Sequence, residues 1–331
     1  MKFTWFIGID VSKKTLDIAI RNKDSILKTF KIENSVAILK SFLKNLKKEG
    51  ICLSDTLFCM EHTGVYCTPM MIHAEKLKLN LWLENATQIK LSIGMQRGKN
   101  DQIDAIRIAE YAARFTDKVR LFEAPREAMK KLRALTVLRK RIQLNLIEFQ
   151  TLNKEKDFYT DKKFYSSMSK KAVNALKENL SDIEKQIRLL IKSNNKLSEL
   201  FQIVTSVRGI GEVVGVQMII TTNEFKDFTC PKKYACYAGV APFEHTSGTS
   251  IKGRPRLSRK ANMGMKSLLH MAALVSMQCN EELKVFYERR VKEGKSKMSV
   301  LNMLRNKLIH RVFACVRDNR KYEYIYTNSL A

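Results

Sequence analysis

An α/β domain followed by two mainly helical segments is what this sequence predicts, on three observations. Before about residue 120, short apolar runs alternate with amphipathic stretches. Between 121 and 200 there is almost no glycine, and apolar residues recur every three or four positions. Beyond 201 helical periods return around a polar, glycine-bearing loop. The expected domains are therefore 1–120, 121–200 and 201–331.

The first strand is FTWFIGID, an apolar run ending in an acid. TLDIAI alternates and, after the turn RNKDS, ILKTFKI completes a three-stranded meander. Asn34 or Ser35 caps a helix over VAILKSFLKNLKK, with apolar residues at 36, 39, 42, 43 and 46, and Gly50 ends it. TLFCME is a fourth, buried strand, GVYCTPMMIHAEKL a helix with Pro69 near its start, LNLWLEN a fifth strand and DAIRIAEYAARF a last helix. A meander followed by crossover helices predicts a mixed sheet covered by helices.

The middle segment predicts two long amphipathic helices. Leu132, Leu135, Leu138, Ile142, Leu146 and Phe149 form one stripe, and Leu176, Leu180, Ile183, Ile187 and Leu190 another, separated by the polar KEKDFYTDKKFYSS. The pair is either an antiparallel hairpin packed on itself or a coiled-coil arm that joins copies of the chain. In the last segment, QIVTSVRGIGEVVGVQMII places Gly209-Ile210-Gly211 between two helices. Such a helix-hairpin-helix turn either just packs its helices or, beside Arg208, offers the amides of Gly209 and Gly211 to a DNA phosphate. A short helix around KKYACY, a polar loop through HTSGTSIKGRPRLSRK, and three helices over MKSLLHMAALVSMQ, ELKVFYERRVKE and SVLNMLRNKLIHRVFACVRD complete the chain.

The 60 Lys and Arg against 33 Asp and Glu give a formal net charge of +27, spread through the sequence. Such a surface favours a polyanion, and nucleic acid is the usual one. No run approaches the roughly 20 apolar residues that span a bilayer, so no membrane partner is expected, and FTWFIGI is too short for a signal-peptide core. Seven cysteines, an odd number with no CxxC pair, read as thiols of a reducing, cytoplasmic compartment rather than zinc ligands or disulfides.

Four carboxylates stand out by position. Asp10 closes the first strand and Glu61 the fourth; a carboxylate ending a buried strand is costly unless paired or bound to a cation. Asp101 and Asp104, in RGKNDQID, lie three apart at the mouth of the last N-terminal helix. Alone, that pair reads as a helix cap, with Asp101 at the N-cap and Asp104 at N3. With Asp10 and Glu61 at the same expected sheet edge, it reads as half of a ligand set. Two carboxylates about 4 Å apart repel by about 4 kcal/mol at an effective dielectric near 20. Hard oxygen ligands facing nucleic acid favour Mg²⁺, or Mn²⁺, over zinc. Asp17 is a spare acid, explained by an outward position on the second strand. Arg97 and Lys99 beside the pair are candidates for backbone contact with DNA or RNA.

In HTSGTSIKGRPRLSRK, Ser247 precedes Gly248, so its hydroxyl is presented with little cover. Lys252, Arg254, Arg256, Arg259 and Lys260 offer charge for a phosphate, and His245 is the nearest base. Either Ser247 is a nucleophile or the loop simply contacts phosphate.

Taken in order, FIGIDVSKKTLDIAI, CMEHTGVY, RGKNDQIDAIRIAEYA, VRGIGEVVG, KKYACYAGVAPFEHTSGTS and LSRKANMGMKSLLHMAA resemble the DEDD-type transposases of insertion sequences. That family includes the Piv-like DNA invertases and the bridge-RNA-guided recombinases. The resemblance spans nearly the whole chain. It implies an RNase H-like, RuvC-type N-terminal domain, a helical coiled-coil middle, and a mainly helical C-terminal transposase domain with a catalytic serine. The family's acidic tetrad falls on Asp10, Glu61, Asp101 and Asp104, and its serine on Ser247, with Ser250 and Ser258 as alternatives. Implied with them are Mg²⁺ at the tetrad, a phosphoserine–DNA intermediate, donor and target DNA, a non-coding bridge RNA, and a dimer or tetramer in which different subunits share each site. The expected setting is a prokaryotic cytoplasm, at the nucleoid. Two rivals remain: a metal-only RuvC-like junction endonuclease, which needs the acids and no serine, and a non-catalytic nucleic-acid scaffold, which leaves the acids without a purpose.

Overall fold

The computed structural model describes residues 3–92, 100–155, 162–247, 251–257 and 261–323; for 152–155, 162, 165–166, 243–247 and 251–257 only the backbone is described. The chain divides into two compact units, Met1–Ala124 and Pro125–Ala331.

The first unit is built on a five-stranded mixed sheet. Its strands are β1 (Trp5–Val11), β2 (Thr15–Arg21), β3 (Ile26–Glu33), β4 (Thr56–Glu61) and β5 (Asn80–Glu84), in the order β3-β2-β1-β4-β5. β1, β2 and β3 pair antiparallel, whereas β1–β4 and β4–β5 are parallel, as expected of a meander followed by crossovers and of an RNase H-like sheet. Strand alternation sorts the side chains. Ile7, Ile9, Leu16, Ile18, Phe58, Met60 and Leu81 pack on one face under α1 (Val36–Lys48) and α2 (Thr68–Leu77). Phe6, Leu57, Cys59 and Trp82 pack on the other, under α3 (Ala86–Ser92) and α4 (Asp101–Arg114). Ser35 caps α1, accepting the Ile38 amide. GVYC forms a short 3₁₀ turn, so the expected single helix from Gly64 begins as an α-helix only at Thr68, where Pro69 sits in the first turn and its missing N–H costs nothing.

Among its described residues, the regular structure of the second unit is helical but for one hairpin. α5 (Glu127–Glu155) and α6 (Lys162–Lys192) pair along their length, with Leu132, Leu146, Ile183 and Ile187 buried, while Leu138, on the expected stripe, is exposed. The base of that pair shares one core with α7 (Asn195–Ser206), α8 (Glu212–Thr221), α9 (Pro231–Tyr237), α10 (Met263–Cys279), α11 (Glu281–Lys292) and α12 (Lys297–Arg317). The polar loop expected before α10 is instead an antiparallel hairpin, β6 (Pro242–Ser247) and β7 (Ile251–Leu257). All seven cysteines are free thiols. Among the described residues no helix is long and apolar enough to cross a membrane.

Candidate active site

Three strand ends and one helix start converge on one edge of the N-terminal sheet. β1, β4 and β5 run parallel, so Asp10, Glu61 and Glu84 all fall near their carboxyl ends. Their parity matches Phe6, Cys59 and Trp82, which places all three on the α4 side. Glu61 and Glu84 are register partners, and the β1–β4 pairing of Ile9 with Met60 brings Asp10 level with Glu61.

α4 reaches this edge because the sheet beneath it is shaved down. A Cβ on Gly8 would land on the backbone of Ala105 and Ala109, and Ala19, Ala105 and Ala109 form a small-residue cluster at the crossing. The buried stripe Ala105, Ile108, Ala109, Ala112 runs back to Asp101 and Asp104 at the helix start. The cap of α4 is Asn100, whose Oδ1 accepts the Gln102 amide at 3.1 Å. The expectation of Asp101 at the N-cap and Asp104 at N3 is thus corrected: they stand at N1 and N4, free of capping duty.

The electrostatics show how close the four acids lie. Burial first, then the charges of Glu61, Asp101 and Asp104, push the Asp10 carboxyl up to about 6. Burial and Asp104 likewise raise Glu61, with Lys90 opposing them. Arg107 partly offsets the cluster by pairing with Asp104 at 2.7 Å. Among the described residues no three His, Cys, Asp or Glu side chains converge tightly enough to hold a metal ion. The set is a group of mutually repelling neighbours rather than a closed cage. In kind and in charge it nonetheless fits a divalent cation: the donors are hard oxygens, and Asp10, raised first by burial, is raised further by three like charges.

Two further acids share this face. Asp17 lies directly across from Asp10 in the β1–β2 register, and it is buried, not outward as expected; Lys31 from β3 answers its charge at 3.4 Å. Glu84, which the sequence reading passed over, is held by the Tyr111 hydroxyl at 3.2 Å and the Asn85 amide at 2.7 Å. Its signal was present in LNLWLEN, an acid closing a buried strand as Asp10 and Glu61 do.

Ser247 is the last residue of β6, with its backbone paired to Ile251. His245 lies on the same strand, and Lys252, Arg254 and Arg256 on β7. Arg97, Lys99, Ser250, Ser258, Arg259 and Lys260 lie outside the described residues. At the turn between α7 and α8, Gly209 has φ +98°, and a Cβ there would come within 2.6 Å of the Ser276 Cβ on α10. That glycine is required by close packing. Arg208 donates to the Cys279 carbonyl at 3.2 Å, and Gly211 forms the N-cap of α8.

Two transposase family models match the chain. Residues 7–154 match a DEDD-type transposase model of the IS110 group, and residues 201–288 match the model described as the transposase IS116/IS110/IS902 family. The chain is 24% identical over 322 residues to the pilin gene-inverting protein of Moraxella lacunata, covering 96% of this chain and 97% of that one. It is 30% identical over 154 residues to an insertion element IS110 protein of Streptomyces coelicolor, covering 46% of this chain and 38% of that one. The two models together cover more than half of the sequence, and the chain belongs to the IS116/IS110/IS902 family of transposases, enzymes that recombine DNA.

Proposed function

We propose that this transposase breaks and rejoins DNA with Ser247 as nucleophile and the tetrad Asp10, Glu61, Asp101 and Asp104 as a Mg²⁺ site, Mn²⁺ substituting. The carrying observation is the Asp10 carboxyl, raised to about 6 first by burial and then by the charges of Glu61, Asp101 and Asp104. So much negative charge on one face calls for a cation where a phosphodiester must approach. Bound there, a divalent ion supplies charge to stabilise the oxyanions of phosphoryl transfer.

This chain's own groups do the rest. The Ser247 hydroxyl attacks a DNA phosphorus; the P–O bond to one sugar breaks, the phosphate passes to the serine oxygen, and the proton ends on the departing sugar hydroxyl. Attack by an incoming sugar hydroxyl reverses the step on a new partner, so no bond energy is lost. Lys252, Arg254, Arg256, Arg259 and Lys260 hold phosphates near the serine, and Arg97 and Lys99 do so near the tetrad. Arg208 with the turn amides of Gly209 and Gly211 forms a further backbone contact. Residues 1–120 are the RuvC-like domain, 121–200 the coiled-coil arm and 201–331 the transposase domain. The exposed Val137, Leu138, Leu144 and Ile147 of α5 support the arm's role in joining subunits. A +27 chain suits two polyanions, DNA and a bridge RNA whose base pairing chooses the sites. The pilin gene-inverting relative, matched end to end, accords with site-specific rejoining rather than simple cutting.

Calorimetric titration with Mn²⁺ tests the tetrad. Asp101→Ala and Asp104→Ala are each expected to weaken binding by about tenfold or more; affinity equal to wild type would remove the metal site from α4. Strand cleavage retained by Ser247→Ala would favour the metal-only endonuclease.

A further inference from the structure

Arg305, on α12, is the one buried charged residue among the described residues of the C-terminal unit, at 5% exposure. Its Nη2 donates to His270 Nδ1 at 2.6 Å and touches Met298 Sδ at 3.5 Å; its Nη1 donates weakly to Asn302 Oδ1 at 3.4 Å; its Nε has no partner. None of these groups is a carboxylate. Neither α10 nor α12, the two helices that supply the contacts, contains a single Asp or Glu. From Phe228 to Asn280 the sequence carries eight Lys and Arg against one acid, Glu244. A guanidinium cannot shed its proton to escape burial, so an uncompensated one is costly and marks a missing counter-charge.

The surroundings specify what that counter-charge is. A guanidinium only donates, so His270 Nδ1 is the acceptor and the imidazole carries its proton on Nε2. That leaves two donors without protein partners on adjacent side chains, the Arg305 Nε–H and the His270 Nε2–H. Lys266 stands one turn before His270 on α10 and adds a cation to the same side of the helix. Over Nη2 lies Met298, 60% exposed, an unbranched side chain that swings aside without disturbing the core. The fork geometry of arginine matches a tetrahedral oxyanion, and Lys266 on the same helix side, in a chain of net charge +27, favours a polyanion over a lone carboxylate.

We propose that Arg305 and His270 form a phosphodiester-binding subsite, and that a backbone phosphate of bound nucleic acid completes the charge balance of Arg305. This rests on the chain acting on nucleic acid, and not on Ser247 being the nucleophile. The test uses full-length Arg305→Met, Arg305→Lys and His270→Ala, with melting temperatures, and dissociation constants for a 40-base-pair mixed-sequence duplex DNA and a 40-nucleotide hairpin RNA, measured from 50 to 200 mM KCl. Arg305→Met is expected to melt at or above wild type, to bind about tenfold more weakly, and to lose about one unit of the logarithmic salt slope. Arg305→Lys keeps the slope, and His270→Ala weakens binding several-fold at unchanged melting temperature. The polymer whose slope falls, DNA or RNA, is the one that supplies the phosphate. A large drop in melting temperature with an unchanged slope would make Arg305 a structural strut and overturn the proposal, as would unchanged binding to both polymers. Should Arg305→Met fail to fold, His270→Ala decides in the same way. Ser247→Ala should keep the wild-type slope, so loss of the serine mechanism leaves this result readable.

Discussion

Asp10→Asn is expected to abolish strand cleavage and, without divalent cations, to raise the melting temperature of the unit Met1–Ala124. In the fold the Asp10 carboxyl is held near 6, above its unfolded value near 4. A raised carboxyl favours the protonated form, so its contribution to stability is best below about pH 4 and is lost as pH rises through 6; at pH 7 the ionised group is a net cost. The group is only partly buried, so the full linkage energy is discounted, and removing the charge should return about 1 kcal/mol, or about 3 °C. In the proposed Mg²⁺ site the asparagine also takes away a ligand. Adding millimolar Mg²⁺ should therefore raise the melting temperature of wild type more than that of the variant, with cleavage reduced on the order of a hundredfold or more. A variant that melts lower than wild type in EDTA would show that Asp10 is held by attraction rather than repulsion.

Gly8→Ala is expected to be the most damaging single-atom change in the N-terminal unit. The added methyl meets backbone atoms of Ala105 and Ala109, which cannot swing aside as a flexible side chain does. Either β1 or α4 must move, at a cost of about 3 kcal/mol. That is a large share of the roughly 5–15 kcal/mol that holds a domain. The displaced element carries Asp101 and Asp104 away from Asp10, so cleavage falls even in the fraction that folds. Thermal melts and Mn²⁺ titration should both register it, and a melting temperature within 1–2 °C of wild type would refute the close crossing of α4 over β1.

The parts of this protein that sequence made legible are those governed by local period. The meander through Trp5–Glu33 announced itself by alternation and the polar turn, and α5 and α6 by sustained spacing at three and four. Where a longer-range partner decided the outcome, the pattern was silent. Asp17 looked like a surface acid because Lys31, its partner across the sheet, cannot be read from neighbours in the chain. The β6–β7 hairpin looked like a loop because IKGRPRL, although its basic residues alternate, includes both Gly and Pro, which strands usually avoid. α3 is only seven residues long and carries a single buried residue, Ile89, too little to show a period. At the site itself, the positions of Asp10 and Glu61 were readable as acids closing strands. Capping by Asn100 was not, because Asp101 is an equally good cap by residue type, and only the extended backbone of Asn100 chooses between them.

Ser247 carries the central claim, and a trapped covalent complex tests it most directly. The wild-type protein, incubated with Mg²⁺ and the DNA of its element, with and without the proposed bridge RNA, then denatured and digested, should yield a DNA-linked peptide whose modified residue is Ser247, absent from Ser247→Ala. A link to a tyrosine, to Ser250 or to Ser258, or cleavage with no adduct at all, would contradict the account.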